Sequence, residues 1–194
     1  MPCATDIILH LGFIRRGFDK FDGYWIGSED YFKHTRRSRT YPKVAGFDFH
    51  HNEDPDFRVI GKYSSGMFAD KATAIIRRAL TKSSPLFLYL AFQAPHSPLQ
   101  VEEIEKENCK MTQVAGKVNT YLHHYSSKNQ DRKIYCGMVT ALDSALGRIV
   151  NTLEETKMMN NTLIVFTTDN GGNVQAGGNN YPLRGGKVLI RFDI

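Results

Sequence analysis

Apolar residues run through the chain in two different rhythms. Leu86 to Phe92 (LFLYLAF) and Leu163 to Thr168 (LIVFTT) are short, almost continuous apolar runs bounded by polar or turn residues. Each is too short for a helix, so both read as strands buried on both faces, the pattern of a parallel sheet covered by helices. Ile7 to Leu11 is a third run of this kind. Between the two longer runs, Tyr135, Met138, Val139, Leu142, Ala145, Leu146, Ile149, Val150 and Leu153 recur at helical steps and predict an amphipathic helix lying on a sheet. A second helix, about Phe68 to Lys82, turns Ala72, Ile75, Ile76 and Ala79 inward before Ser83-Ser84-Pro85 stops it. Alternation of helices and strands predicts an α/β layered fold. Thr40 to Lys62 has no period and reads as a surface loop or small hairpin, and Glu102 to Gln130 is polar and irregular.

Composition narrows the class. The chain has 194 residues, 41% of them hydrophobic, which suits one domain with one packed core. A net charge of +5 comes partly from Arg15-Arg16, Arg36-Arg37-Ser38-Arg39 and Arg77-Arg78. These clusters suit solvated surface or an anionic ligand, and nothing beyond net charge favours nucleic acid, which is not an expected partner. Cys3, Cys109 and Cys136 form no close pair, so neither a disulfide framework nor a zinc knuckle can be read from them, and Cys136 is expected in the core. MPCATDIILHLGF has no basic leader and no small-residue cleavage site, so no signal peptide is read. No segment approaches the length of a membrane span. Taken literally, the chain stays in the cytosol, yet Asn160-Asn161-Thr162 is an N-glycosylation sequon, which matters only in a secretory compartment.

Ligands of open α/β sheets bind beyond the carboxyl ends of the strands, so the residues after each run are where chemistry is expected. Leu86 to Phe92 runs into Gln93-Ala94-Pro95-His96-Ser97-Pro98, a histidine between two prolines that limit its backbone. Leu163 to Thr168 runs into Asp169-Asn170-Gly171-Gly172. Asp and Asn supply a carboxylate and an amide oxygen, hard ligands for a divalent cation, and the glycines allow a sharp turn; the same four residues also suit an ordinary Asx turn. GGNNYPLRGGK (177 to 187) resembles a phosphate loop but carries Tyr181 and Val188 where the Walker pattern needs Gly and Ser or Thr. It remains a glycine-rich loop whose Arg184 and Lys187 could hold a tetrahedral anion. His10 ends the first run. Together these sites form an inventory for attack on an anionic ester with a divalent ion, lacking only a nucleophile.

These residues resemble the type I sulfatases, and within them the arylsulfatase B group, which removes the 4-sulfate of N-acetylgalactosamine. The matching stretches are HLGF with RRGFDKFDGYWIGSEDYFKH, YSSGMFADKA, PLFLYLAFQAPHSPLQV, YCGMVTALDSALGRIV, NNTLIVFTTDNGGN and GGNNYPLRGGK, in family order over nearly the whole chain. The resemblance implies an alkaline-phosphatase-like fold, a mixed, mostly parallel sheet flanked by helices, with residues 1 to 194 forming part of the catalytic domain. It implies Ca²⁺ as cofactor, with Asp169 and Asn170 as one pair of metal ligands. His10 would contact the nucleophile, while His96 and Lys187 would bind the sulfate and the leaving group. Sulfated sugars or aryl sulfate esters are the implied substrates, Asn160 an implied glycosylation site, and the lysosome or the secreted fraction the implied location.

The chain also departs from the family pattern. Ile8 stands where the family has a lysine, and no Cys-x-Pro-x-Arg, the precursor motif of the family's formylglycine nucleophile, occurs within the sequence. The strand carrying the family's other two acidic ligands has no counterpart, VLIRFDI does not continue the pattern, and Arg37 stands near one position of an expected cysteine pair. An inactive fragment of a sulfatase is therefore expected, with unpaired strand edges where the missing strand would lie. A non-catalytic module binding sulfated glycans is the alternative, followed by a phosphoesterase of the same superfold.

Overall fold

The computed structural model describes residues 13–38, 40–41, 43–82, 84–109, 129–173, 176–178, 180 and 186–187. The run Ile7 to Leu11, and with it His10, lies outside the described residues. The element order is β1 (Asp22–Tyr24), β2 (Thr35–Arg37), β3 (Ala45–Phe47), β4 (Phe49–His51), β5 (Asp54–Pro55), α1 (Ser64–Ala79), α2 (Glu103–Asn108) and α3 (Asn129–Glu155), with short 3-10 turns at Phe13–Arg16, Phe57–Val59 and Met159–Asn161.

Both expected helices form, but α3 lies on α1 and α2 and not on a sheet of the described residues. Helix α1 starts at Ser64, four residues before the expected Phe68, with Ser64 and Ser65 buried in its first turn and the Ser64 N–H on Tyr31 O (3.0 Å). Arg77 and Arg78 occupy its last turn, where cations complement the carbonyl end of a helix. Ala69, Ala72 and Ile76 of α1 meet Ala145, Ile149 and Leu153 of α3, so small residues on one face let two long helices pack closely. At the end of α3, Met158 N–H bonds Leu153 O (2.9 Å) and Lys157 N–H bonds Glu154 O (2.9 Å), a left-handed cap with Lys157 at φ 59°.

The region 40 to 62, expected as a loop or small hairpin, is more ordered than that. Its strands β3, β4 and β5 join the earlier β1 and β2 in two antiparallel ladders: β1-β4-β5, with Asp22 opposite His51 and Tyr24 opposite Phe49, and β2-β3, with Thr35 opposite Phe47. Phe49, Val59, Met67 and Phe68 form the core beneath them. Residues 103 to 108 within the stretch expected to be irregular are helical, and α2 lies against α3 where Gly137 leaves room. A Cβ at Gly137 would stand 3.1 Å from both Lys106 N and Val101 Cγ1.

Two expectations are corrected. Leu86 to Phe92 and Leu163 to Thr168 are neither helical nor part of any ladder among the described residues, and neither is buried on both faces. Leu88, Leu90 and Phe92 turn toward the helical core, whereas Phe87 is 77% exposed and Tyr89 lies in solvent. Leu163, Val165 and Phe166 are exposed at 88%, 78% and 67%. A strand becomes buried on both faces only with neighbours at its edges and a layer on each side, and here the helices cover one side of one run. Cysteine spacing was equally uninformative: Cys136 is not a core thiol but forms a disulfide with Cys109, 27 residues away, with Cα atoms 5.8 Å apart. The bond fastens the end of α2 to α3.

Candidate functional site

The loop after the first run is held from one direction. His96 follows a turn closed by its own N–H to Gln93 O (3.0 Å). The peptide bonds before Pro95 and Pro98 are both cis. Gln93 donates its side-chain amide to Glu29 O, Tyr31 donates its hydroxyl to His96 O (2.7 Å), and Gln100 Oε1 accepts the Tyr31 N–H (2.8 Å). The loop thus hangs largely on residues 29 to 31, with Tyr63 Oη donating to Gln100 O (3.1 Å) at its far end. The His96 ring lies with Nδ1 2.7 Å from Ser97 O. A carbonyl can only accept, so Nδ1 carries the proton and Nε2 is left to a ligand.

The turn after the second run has its own frame. Asp169 is exposed, and its carboxylate meets no partner among the described residues. Asn170 donates Nδ2 to Gly171 O (2.9 Å), which leaves its Oδ1 as an acceptor. The turn therefore presents two hard oxygens. Gly171 is required by close approach, since a Cβ there would stand 3.0 Å from Asn180 Oδ1 and 3.1 Å from Gly186 Cα. Lys187 donates its backbone N–H to Gly172 O (3.3 Å), so the glycine-rich loop and the Asp-Asn turn are neighbours in space. Arg132 of α3 donates to Gly177 O (3.2 Å) and fixes the loop to the helix.

The structure thus brings Lys187 to within two residues of Asn170, while it gives no direct contact between His96 and either. Among the described residues no group of three or more His, Cys, Asp or Glu side chains is placed to hold a metal ion. Asp169 and Asn170 fit a calcium ion chemically, but they are two ligands where the ion takes six to eight oxygens. Asn160 lies exposed on the 3-10 turn between α3 and the second run, and Thr162 of its sequon donates to Met158 O (2.8 Å).

Electrostatics near the site centres on buried groups that sequence patterns did not single out. Glu29 is wholly enclosed, with Arg36 Nη1 3.9 Å from Oε1. Burial first, then the neighbouring Asp48, pushes its carboxyl up to about 8, against the pull of Arg36. Asp30 goes the other way: burial raises it, but hydrogen bonds from Gln100, Lys33 N–H and Phe32 N–H outweigh that and hold it low. His34 is buried at φ 55°, with Tyr24 Oη 2.7 Å from Nδ1 and Val59 O 3.0 Å from Nε2. Its Nε2 therefore donates and its Nδ1 accepts, and burial lowers its pKa.

Comparison with known proteins gives this arrangement its class. The family model described as Sulfatase matches residues 7–192, and the chain belongs to the sulfatase family. It is 36% identical to arylsulfatase J of Mus musculus over 92% of this chain and 28% of that protein. It is 27% identical to an arylsulfatase of Klebsiella aerogenes, over 87% of this chain and 44% of that protein. Among solved structures it is similar to Ps i-CgsB in complex with k-i-k-neocarrahexaose, with TM-score 0.71 and 32% identity over 90% of this chain and 37% of that one. The alkaline-phosphatase-like sulfatase fold is thus confirmed as a partial domain, and the chain spans less than half the length of these relatives.

Proposed function

We propose that this chain is part of the catalytic domain of an arylsulfatase B-like sulfatase, a sulfuric ester hydrolase of sulfated glycosaminoglycans or aryl sulfates, and that these 194 residues alone do not turn over. The observation that carries the reading is the Lys187 N–H bond to Gly172 O, which sets a cation loop beside the Asp169-Asn170 turn. Asp169 and Asn170 would give calcium two of its oxygens, and His96, Lys187 and His10 would serve the sulfate, leaving group and nucleophile. Two ligands with one charge hold calcium weakly, with dissociation on the order of millimolar or above. No Cys-x-Pro-x-Arg is present to yield a formylglycine, so the covalent route through that group is closed to this chain as it stands.

Lysosomal or secreted placement is part of this reading. The Cys109–Cys136 disulfide and the exposed Asn160 sequon support it, because disulfides persist in oxidising compartments. Calcium titration followed by isothermal calorimetry tests the site: weak binding that disappears in Asp169→Asn supports it, and unchanged binding in that variant removes Asp169 as a ligand. A second reading, a non-catalytic module for sulfated glycans, draws on Lys187, whose ammonium meets no acidic partner among the described residues. Salt-sensitive retention on chondroitin sulfate that is lost in Lys187→Ala would favour it.

A further inference from the structure

We propose that Tyr31 and Gln100 are positioning residues of His96, holding its main chain so that the ring keeps one tautomer with Nε2 presented to a ligand. The inference rests on the reading of His96 as a sulfate contact, but its geometry stands apart from that reading. Tyr31 is 0% exposed and stacks on Tyr63 at 5.4 Å and 17° between ring planes. From that fixed position its hydroxyl reaches His96 O at 2.7 Å. Its N–H meets Gln100 Oε1 at 2.8 Å, while Gln100 Nε2 donates to Asp30 Oδ2 at 2.8 Å and Gln100 O accepts from Tyr63 Oη at 3.1 Å.

Tyr31 makes two of these bonds and Gln100 three, and with the Gln93 amide on Glu29 O the loop from 93 to 100 is pinned at both ends and at its middle. Burial raises the Tyr31 phenol above its ordinary range, which favours the protonated hydroxyl that donates here. The consequence for His96 is indirect. Its Nδ1–H needs Ser97 O in place at 2.7 Å, and that carbonyl is set by the backbone that Tyr31 holds one residue earlier. With Nδ1 committed, Nε2 alone meets a ligand, as acceptor when the ring is neutral and as donor to a sulfate oxygen when it is protonated.

The test uses the full chain labelled with 15N-histidine, as wild type, Tyr31→Phe and Gln100→Leu, with helical circular dichroism as a check on folding. Ring 15N shifts of His96, read where the ring is neutral, should report the Nδ1–H form in the wild type and a mixture of tautomers in both variants. Inorganic sulfate only accepts, so it is titrated at a pH where the ring is protonated: there Nδ1–H still holds Ser97 O and aims Nε2–H outward, and sulfate should bind roughly five-fold more weakly in the variants that lose this orientation, the worth of one hydrogen bond. Should Tyr31→Phe not fold, Gln100→Leu carries the same reading. Folded variants that keep the wild-type Nδ1–H signal, even with lowered melting temperature, would show a structural role only and overturn the proposal. A tautomer change in the variants with no sulfate binding in the wild type would uphold the clamp and remove the proposed sulfate contact.

Discussion

Asn180 closes its side-chain amide over the backbone of Gly172: Oδ1 accepts the Gly172 N–H at 2.7 Å and Nδ2 donates to Gly172 O at 2.9 Å. One side chain thus joins the glycine-rich loop to the turn that follows Asp169 and Asn170. Asn180→Ala removes both bonds and is expected to cost about 1–2 kcal/mol. Gly171→Ala places a Cβ against Asn180 Oδ1 and Gly186 backbone and is expected to cost about 1–3 kcal/mol. Urea unfolding of both variants measures this, and equal midpoints to the wild type would show that the bracket carries no stability.

The Cys109–Cys136 bond closes a loop of 27 residues, for which chain-entropy bookkeeping gives about 3.5 kcal/mol. Unfolding with and without reductant should differ by about that amount. A Cys109→Ser, Cys136→Ser double variant should be insensitive to reductant and resemble the reduced wild type.

Glu29 sets a pH dependence with a definite sign. Its folded-state carboxyl is raised from 4.5 to about 8, so the folded chain keeps a proton that the unfolded chain loses. Its contribution is complete below about 4.5 and is lost as pH rises through about 8. The slope expected from one proton is about 1.4 kcal/mol per pH unit within that window. His34, lowered by burial, acts oppositely, because the unfolded chain takes up its proton first as pH falls below 6.5. Glu29→Gln keeps the shape and cannot titrate, so wild type minus variant isolates the effect. Parallel stability curves from pH 5 to 8 would show that Glu29 does not titrate as its burial requires.

The exposed runs carry a liability. Phe87, Leu163, Val165 and Phe166 present apolar side chains on backbone that no ladder among the described residues satisfies. The chain should bind the dye ANS and self-associate with rising concentration. Val165→Thr with Phe166→Lys should reduce both, as read by light scattering, without changing the helical signal of α1 and α3.

Helices were legible because their apolar period decides them locally. Ala72 and Ile76 and then Ala145, Ile149 and Leu153 could be placed facing a core from spacing alone, and they meet there. The runs at 86 and 163 were legible as non-helical breaks between helices, but neither their pairing nor their burial was, since both depend on neighbours elsewhere in sequence. Cys109 and Cys136 looked unrelated because nothing local says that α2 ends on α3. At the candidate site, His96 and Asp169 were visible as unusual endings of apolar runs, and Lys187 as the cation of a glycine-rich loop. Tyr31, Gln100, Asn180 and Glu29 were not, as each acts through one long-range contact and leaves no periodic trace. The stretch GSEDY (27 to 31), already part of the resemblance, was the available signal for Glu29 and Tyr31.

We propose that this sulfatase-family chain keeps Asp169 and Asn170 for a metal and His96 and Lys187 for a sulfate without the nucleophile that would use them. Release of sulfate from an aryl sulfate by the purified chain in the presence of Ca²⁺ tests it most directly. No release above a buffer blank is the predicted result, and release above that blank that is lost in Lys187→Ala would contradict it.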